Sequence, residues 1–146
     1  PHNAGLSIAL AALLGLVMSL AATVAWAGVP QGRSQWEGQY TYSDGRPPVP
    51  FSWSLNIEKT ALGGNSEEPA TFGNLNAKKL TAYLIGTVLG DRASILKTYD
   101  GMADVSFESK YSANFSADGK TVTGTWSAPE ANARGAFEAH LVRLGE

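Results

Sequence analysis

The stretch Val49-Pro50-Phe51-Ser52-Trp53-Ser54-Leu55-Asn56-Ile57 decides how this chain is read. Val49, Phe51, Trp53, Leu55 and Ile57 fall on one side of an extended backbone; Ser52, Ser54 and Asn56 fall on the other. An apolar/polar period of two is the mark of a half-buried β-strand, not of a helix. The same period recurs on both sides of it. Trp36–Tyr42 is an expected first strand, with Trp36, Gly38, Tyr40 and Tyr42 on one face. Val105–Phe115 puts Val105, Phe107, Tyr111, Ala113 and Phe115 together, against Ser106, Glu108, Lys110, Ser112 and Asn114.

Turn signals separate these runs. Ser43-Asp44-Gly45, Pro47-Pro48, Gly90-Asp91, Asp100-Gly101 and Asp118-Gly119 are turn-forming clusters. Gly63-Gly64-Asn65 reads as a loop, followed by a weaker strand within Ser66–Phe72 that Pro69 interrupts. Leu80–Leu89 is apolar on both faces, and Arg92–Tyr99, Thr121–Ser127 and Arg134–Val142 complete the set. About eight short strands with short connections favour antiparallel neighbours. An eight-stranded antiparallel up-and-down meander removes its unpaired edges by closing into a barrel. A β-sandwich is the alternative. A transmembrane β-barrel is disfavoured, because Glu108, Lys110, Glu138 and His140 would face lipid.

Before the strands lies a different kind of sequence. All 11 Lys and Arg and all 13 Asp and Glu lie after residue 32. Ala4–Ala27 is uncharged and rich in Leu, Ala and Val. As a helix it would cover about 36 Å, enough for a hydrocarbon core of about 30 Å. Trp26 stands where an indole favours the membrane boundary, and Pro30 ends the helix. The expected organisation is a membrane span at 1–28, a linker at 29–35 and a β-domain at 36–143. The small residues Ala11, Gly15, Ser19 and Ala22 would allow close packing against other spans. The alternative is a signal peptide cut after Ala25-Trp26-Ala27, leaving a secreted domain. The amino terminus lacks the Lys or Arg of a signal peptide, and the run exceeds the usual length of about 7–15 residues, so the anchor is preferred. Either reading places the β-domain in a periplasm, a lumen or the extracellular space.

The residue types exclude much. With no Cys there is no disulfide and no thiolate metal site. Only His2 and His140 are present, which leaves little for His-based metal or triad chemistry. A net charge of −2 argues against a nucleic-acid partner. No phosphate-binding loop, dinucleotide fingerprint, nucleophile elbow or EF-hand pattern occurs, so no catalytic residue, cofactor or metal is expected.

Trp36-Glu37-Gly38-Gln39-Tyr40 resembles the W-x-G-x-Y start of calycin-type barrels, the group of lipocalins, fatty-acid-binding proteins and avidin-like proteins. Ala93–Tyr99 is similar to their apolar-x-apolar-x-Lys-x-Tyr strand. Asp118–Trp126 resembles the D-G-x-x-V-x-G-x-W hairpin of bacterial calycin-like domains, and Gly135-Ala136-Phe137 their G-x-F closing strand. The resemblance runs over Trp36–Val142. It implies a cup able to take an apolar ligand, although no biotin-binding set is identifiable. The candidate ligand-binding residues are Lys97, Tyr99, Trp53, Trp126 and Phe51. If the Lys97–Tyr99 face points inward, an ammonium and a phenol stand ready for an anionic head group. The tryptophans would either stack on a ligand or plug the barrel. Glu67 and Glu68, being adjacent, point to opposite faces; Glu37 and Glu138 are candidates to meet across strands. His140 faces away from the core.

Two functions lead, with an enzyme of unknown type as the third reading. One is a non-enzymatic tethered binding module for an apolar small ligand or a neighbouring protein. The other is a structural accessory subunit of a membrane complex, with a plugged barrel. A continuous apolar cavity of about 300 Å³ or more favours the first. An interior closed by aromatic rings favours the second.

Overall fold

The computed structural model describes residues 28–145. The expected span over Ala4–Ala27, with Ala11, Gly15, Ser19 and Ala22, and the cut after Ala27 lie outside the described residues. Among the described residues no helix is long and apolar enough to cross a membrane.

Eight strands follow in order: β1 (Gly32–Tyr40), β2 (Val49–Glu58), β3 (Ala61–Pro69), β4 (Lys79–Leu89), β5 (Arg92–Tyr99), β6 (Glu108–Phe115), β7 (Thr121–Ala128) and β8 (Ala133–Leu144). Each pairs antiparallel with the next. β1 also pairs with β8, Trp36 opposite Leu141 and Tyr40 opposite Phe137, so the sheet closes into a barrel. That closure replaces the sandwich alternative. A shift of register between Gln35 and Trp36 marks where the closing seam bends.

Burial follows the alternation. In β2, Val49, Phe51, Trp53, Leu55 and Ile57 are buried, while the residues between them face outward. β6 alternates without interruption, burying Ser109, Tyr111, Ala113 and Phe115. Several boundaries differ from the sequence reading, and three of the differences matter most. β1 begins at Gly32, so part of the expected linker is strand. β6 begins at Glu108, three residues later than expected. The third concerns Gly63-Gly64-Asn65, which lies inside β3. The β2–β3 turn falls instead at Lys59-Thr60, where Lys59 adopts a left-handed φ of 56°. Gly64 is there for space: a Cβ on it would stand 2.1 Å from the Ser54 carbonyl oxygen. β4 has only one buried face; Tyr83, Ile85 and Leu89 on its other face are exposed.

The two ends of the barrel are unlike. At one end the turns after β2, β4 and β6 are tight. Gly28 lies against Ser116 and Gly119 there, and buried Val29 joins the core. This is the base. At the other end, longer connections follow β1, β3 and β5. The last two pack together, with the Asn74 amide donating to the Ala103 carbonyl. A satellite cluster of Leu80, Ala82, Tyr99 and Val105, joined by Phe72 and Phe107, fills the space beneath them. This is the mouth.

Candidate functional site

The middle of the barrel is solid. Trp53 meets Phe51 at 5.0 Å, Tyr111 at 5.6 Å and Phe137 at 5.5 Å between ring centroids. Trp36 packs edge-on against Phe115 and donates its indole N–H to Ser34 Oγ at 2.8 Å. Edge-to-face rings fill volume closely and add attraction beyond area burial. Phe51 and Trp53 therefore sit in the plug.

Above the plug lies a charged cluster. Lys97, 1% exposed, and Glu68, 3% exposed, pair at 2.5 Å between Nζ and Oε1. Tyr99 donates its hydroxyl to the same oxygen at 2.7 Å, and Tyr40 donates to Oε2 at 2.5 Å. Lys97 Nζ also stands 4.7 Å from the Tyr99 ring centroid and 5.2 Å from that of Tyr40. Isolated buried charges are costly, and this one is matched by an opposite charge and two phenols. Burial pushes the Tyr40 and Tyr99 hydroxyls well above the ordinary phenol range. Glu68 reinforces both shifts, and the Lys97 ammonium opposes that of Tyr99. Burial by itself lowers Lys97, but the Glu68 carboxylate and Tyr99 together raise it and the net direction is upward.

The sequence placed Lys97 and Tyr99 on one face, and that face points inward. It did not pick out Glu68. The signal was present: Glu67 and Glu68 must point to opposite faces, so one carboxylate had to enter the barrel. Glu67 is exposed and pairs with Lys79 at 3.0 Å. The ammonium expected to await an anionic head group is already neutralised.

The mouth cavity opens above this cluster, with a volume of about 450 Å³. Tyr42, Phe72, Tyr99, Phe107 and Trp126 form its walls, and Ser109 and Tyr111 reach it from β6. Trp126 is held by its indole N–H donating to the Thr41 carbonyl at 2.9 Å. At the rim, Arg46 stacks 3.9 Å above the Tyr42 ring centroid and pairs with Asp44 at 2.9 Å. That hydrogen-bonded pair lowers the Asp44 carboxyl and raises the Arg46 guanidinium. Of the sequence candidates, Tyr99 and Trp126 line the cavity and Lys97 lies beneath it.

A larger depression, about 900 Å³, lies outside the barrel across β4 to β8. It is more open than the mouth and gathers no cluster of buried polar groups. Glu37 stands opposite His140, and Gln39 opposite Glu138, so the two carboxylates do not face each other directly. His140 is exposed and lies 3.4 Å from Glu138. No group of three or more His, Cys, Asp or Glu able to hold a metal occurs among the described residues. In comparisons with known proteins, the chain matches no family model, no curated protein and no solved structure.

Proposed function

We propose that this protein is a non-enzymatic, membrane-tethered binding module whose calycin-like barrel takes an apolar small ligand at its mouth, outside the cytoplasm. The observation that carries the reading is the cavity of about 450 Å³ with aromatic walls above a sealed interior. Concave apolar sites of about 300–1,000 Å³ with a few convergent polar groups are the usual form of a small-molecule site. The calycin resemblance supports the same reading. The tether is supported by the uncharged run ending at Ala27 and by the position of Gly28 at the base. A span joined there leaves the mouth unobstructed, and it confines the barrel near its targets.

One observation favours the accessory-subunit reading: the filled mid-barrel and the exposed Tyr83, Ile85 and Leu89 on β4. Purification of the full chain from membranes in mild detergent, followed by native mass spectrometry, separates the two. A co-purifying small apolar molecule, removed by Trp126→Ala, is the expected result. Stoichiometric protein subunits with no small molecule would replace the binding module by the accessory subunit.

A further inference from the structure

Two hydroxyls in the mouth have nothing to do inside the protein. Ser109 and Tyr111, each 4% exposed, stand two residues apart on the inner face of β6 and both line the cavity. The hydroxyls of Tyr40 and Tyr99 are committed to Glu68. Those of Ser109 and Tyr111 have no hydrogen-bond partner among the described residues. Both keep contact with the open cavity, since the sealed side-chain oxygen without a partner among the described residues is Ser66 Oγ, so a ligand group entering the mouth can reach them.

The charges around the cavity are matched in pairs. Lys97 is paired with Glu68 below, and Arg46 with Asp44 at the rim. An anionic ligand would meet no free cation on the floor and would approach the Glu68 carboxylate. A cationic ligand would meet no free anion, since Glu68 already accepts from Lys97, Tyr40 and Tyr99. What remains is an aromatic slot lined by two neutral hydroxyl residues on the inner face of β6.

We infer that the ligand is an uncharged, flat aromatic molecule carrying one hydroxyl or carbonyl, which bonds to the Ser109 and Tyr111 hydroxyls while its ring lies against Trp126 and Phe107. This rests on the mouth being a binding site and names what that site selects. The polar group is specified because a hydroxyl left buried and unpaired weakens a complex, whereas a matched one strengthens it.

The test uses the full chain in nanodiscs, with empty nanodiscs as the blank, and three probes: 2-naphthol, naphthalene and 2-naphthoate. Equilibrium dialysis reads their affinities. 2-Naphthol is expected to bind at least about fivefold more tightly than naphthalene. It should exceed 2-naphthoate by about tenfold or more, since the acid must bury an unmatched charge. Tyr111→Phe, which keeps the ring in the core, and Ser109→Ala should each remove much of the advantage of 2-naphthol over naphthalene, read as the ratio of the two affinities. Binding of 2-naphthoate as tight as that of 2-naphthol would overturn the inference. So would a naphthol advantage that survives both substitutions, or one absent from the unaltered protein. Failure of all three probes to bind would remove the ligand-binding reading itself, and this one with it.

Discussion

Glu68 and Lys97 show how a single pair of side chains can shape a barrel's interior. Each alone would be an uncompensated charge nearly sealed from water. Removing one partner of such a buried pair typically costs about 3–5 kcal/mol. Lys97→Met is therefore expected to lower the unfolding free energy by about that amount, measured by urea denaturation. Glu68→Leu combined with Lys97→Met should recover much of the loss, because no charge is then left unpaired. Additive losses in the double variant would show that the two groups do not interact. The phenols beside them set a pH limit. Tyr40, Tyr99 and Tyr111 are all raised in the folded state, chiefly by burial, so the folded protein holds their protons where the unfolded chain releases them. Below about pH 10, the ordinary phenol value, both states are protonated and this contribution is fully present. Above it the unfolded state binds fewer protons, and stability falls as pH rises. Lys97, also raised, acts in the same direction. Urea midpoints should drop as pH rises above about 10, with phenolate absorbance from these three residues appearing only on unfolding. Titration of all five tyrosines without loss of structure would contradict this.

Strands were the most legible level of this chain. The alternation in Val49–Ile57 and in the Tyr111–Phe115 part of β6 specified which side chains face inward, because a period of two leaves no other arrangement once one face is apolar. Where the reading of elements failed, another physical demand had been mistaken for a turn. Gly63-Gly64 looked like a loop because glycine serves turns so often, yet here Gly64 allows close approach to Ser54. The true turn used Lys59, a residue type with no turn signature. The site was legible only in part. Lys97 and Tyr99 could be placed on one face, but their partner Glu68 comes from β3, and pairing across strands is a matter of register that local pattern does not reveal. Gly124 in β7 meets a demand like that at Gly64. A Cβ on it would fall 1.8 Å from the Ser112 carbonyl oxygen and 2.9 Å from the Phe137 ring. Gly124→Ala is expected to destabilise by about 1–3 kcal/mol, as overpacked interiors do, and thermal unfolding reads it directly. An unchanged melting temperature would mean that β6 and β7 yield more freely than their packing suggests.

At the scale of the whole molecule, base and mouth divide the work. Tight turns and Val29 close the base, where the described chain begins at Gly28. Longer connections and an aromatic cavity occupy the mouth. If the uncharged run before Gly28 spans a bilayer, the full chain should resist alkaline carbonate extraction from membranes, and a protease added from the mouth side should release a fragment carrying the barrel. An intact mass beginning at Gly28, with all the protein in the soluble fraction, would instead show a cleaved leader. The seam between β1 and β8 has a consequence for synthesis. Trp36 and Leu141 are neighbours in space but stand near opposite ends of the described chain. A ribosome must deliver almost the entire polypeptide before that seam can zip shut. Until then the first strand keeps a bare flank of amides and carbonyls, open to pairing with any passing extended segment. The newborn protein is thus most prone to clump in the interval before its last strand arrives, and a protective escort would be of greatest use then.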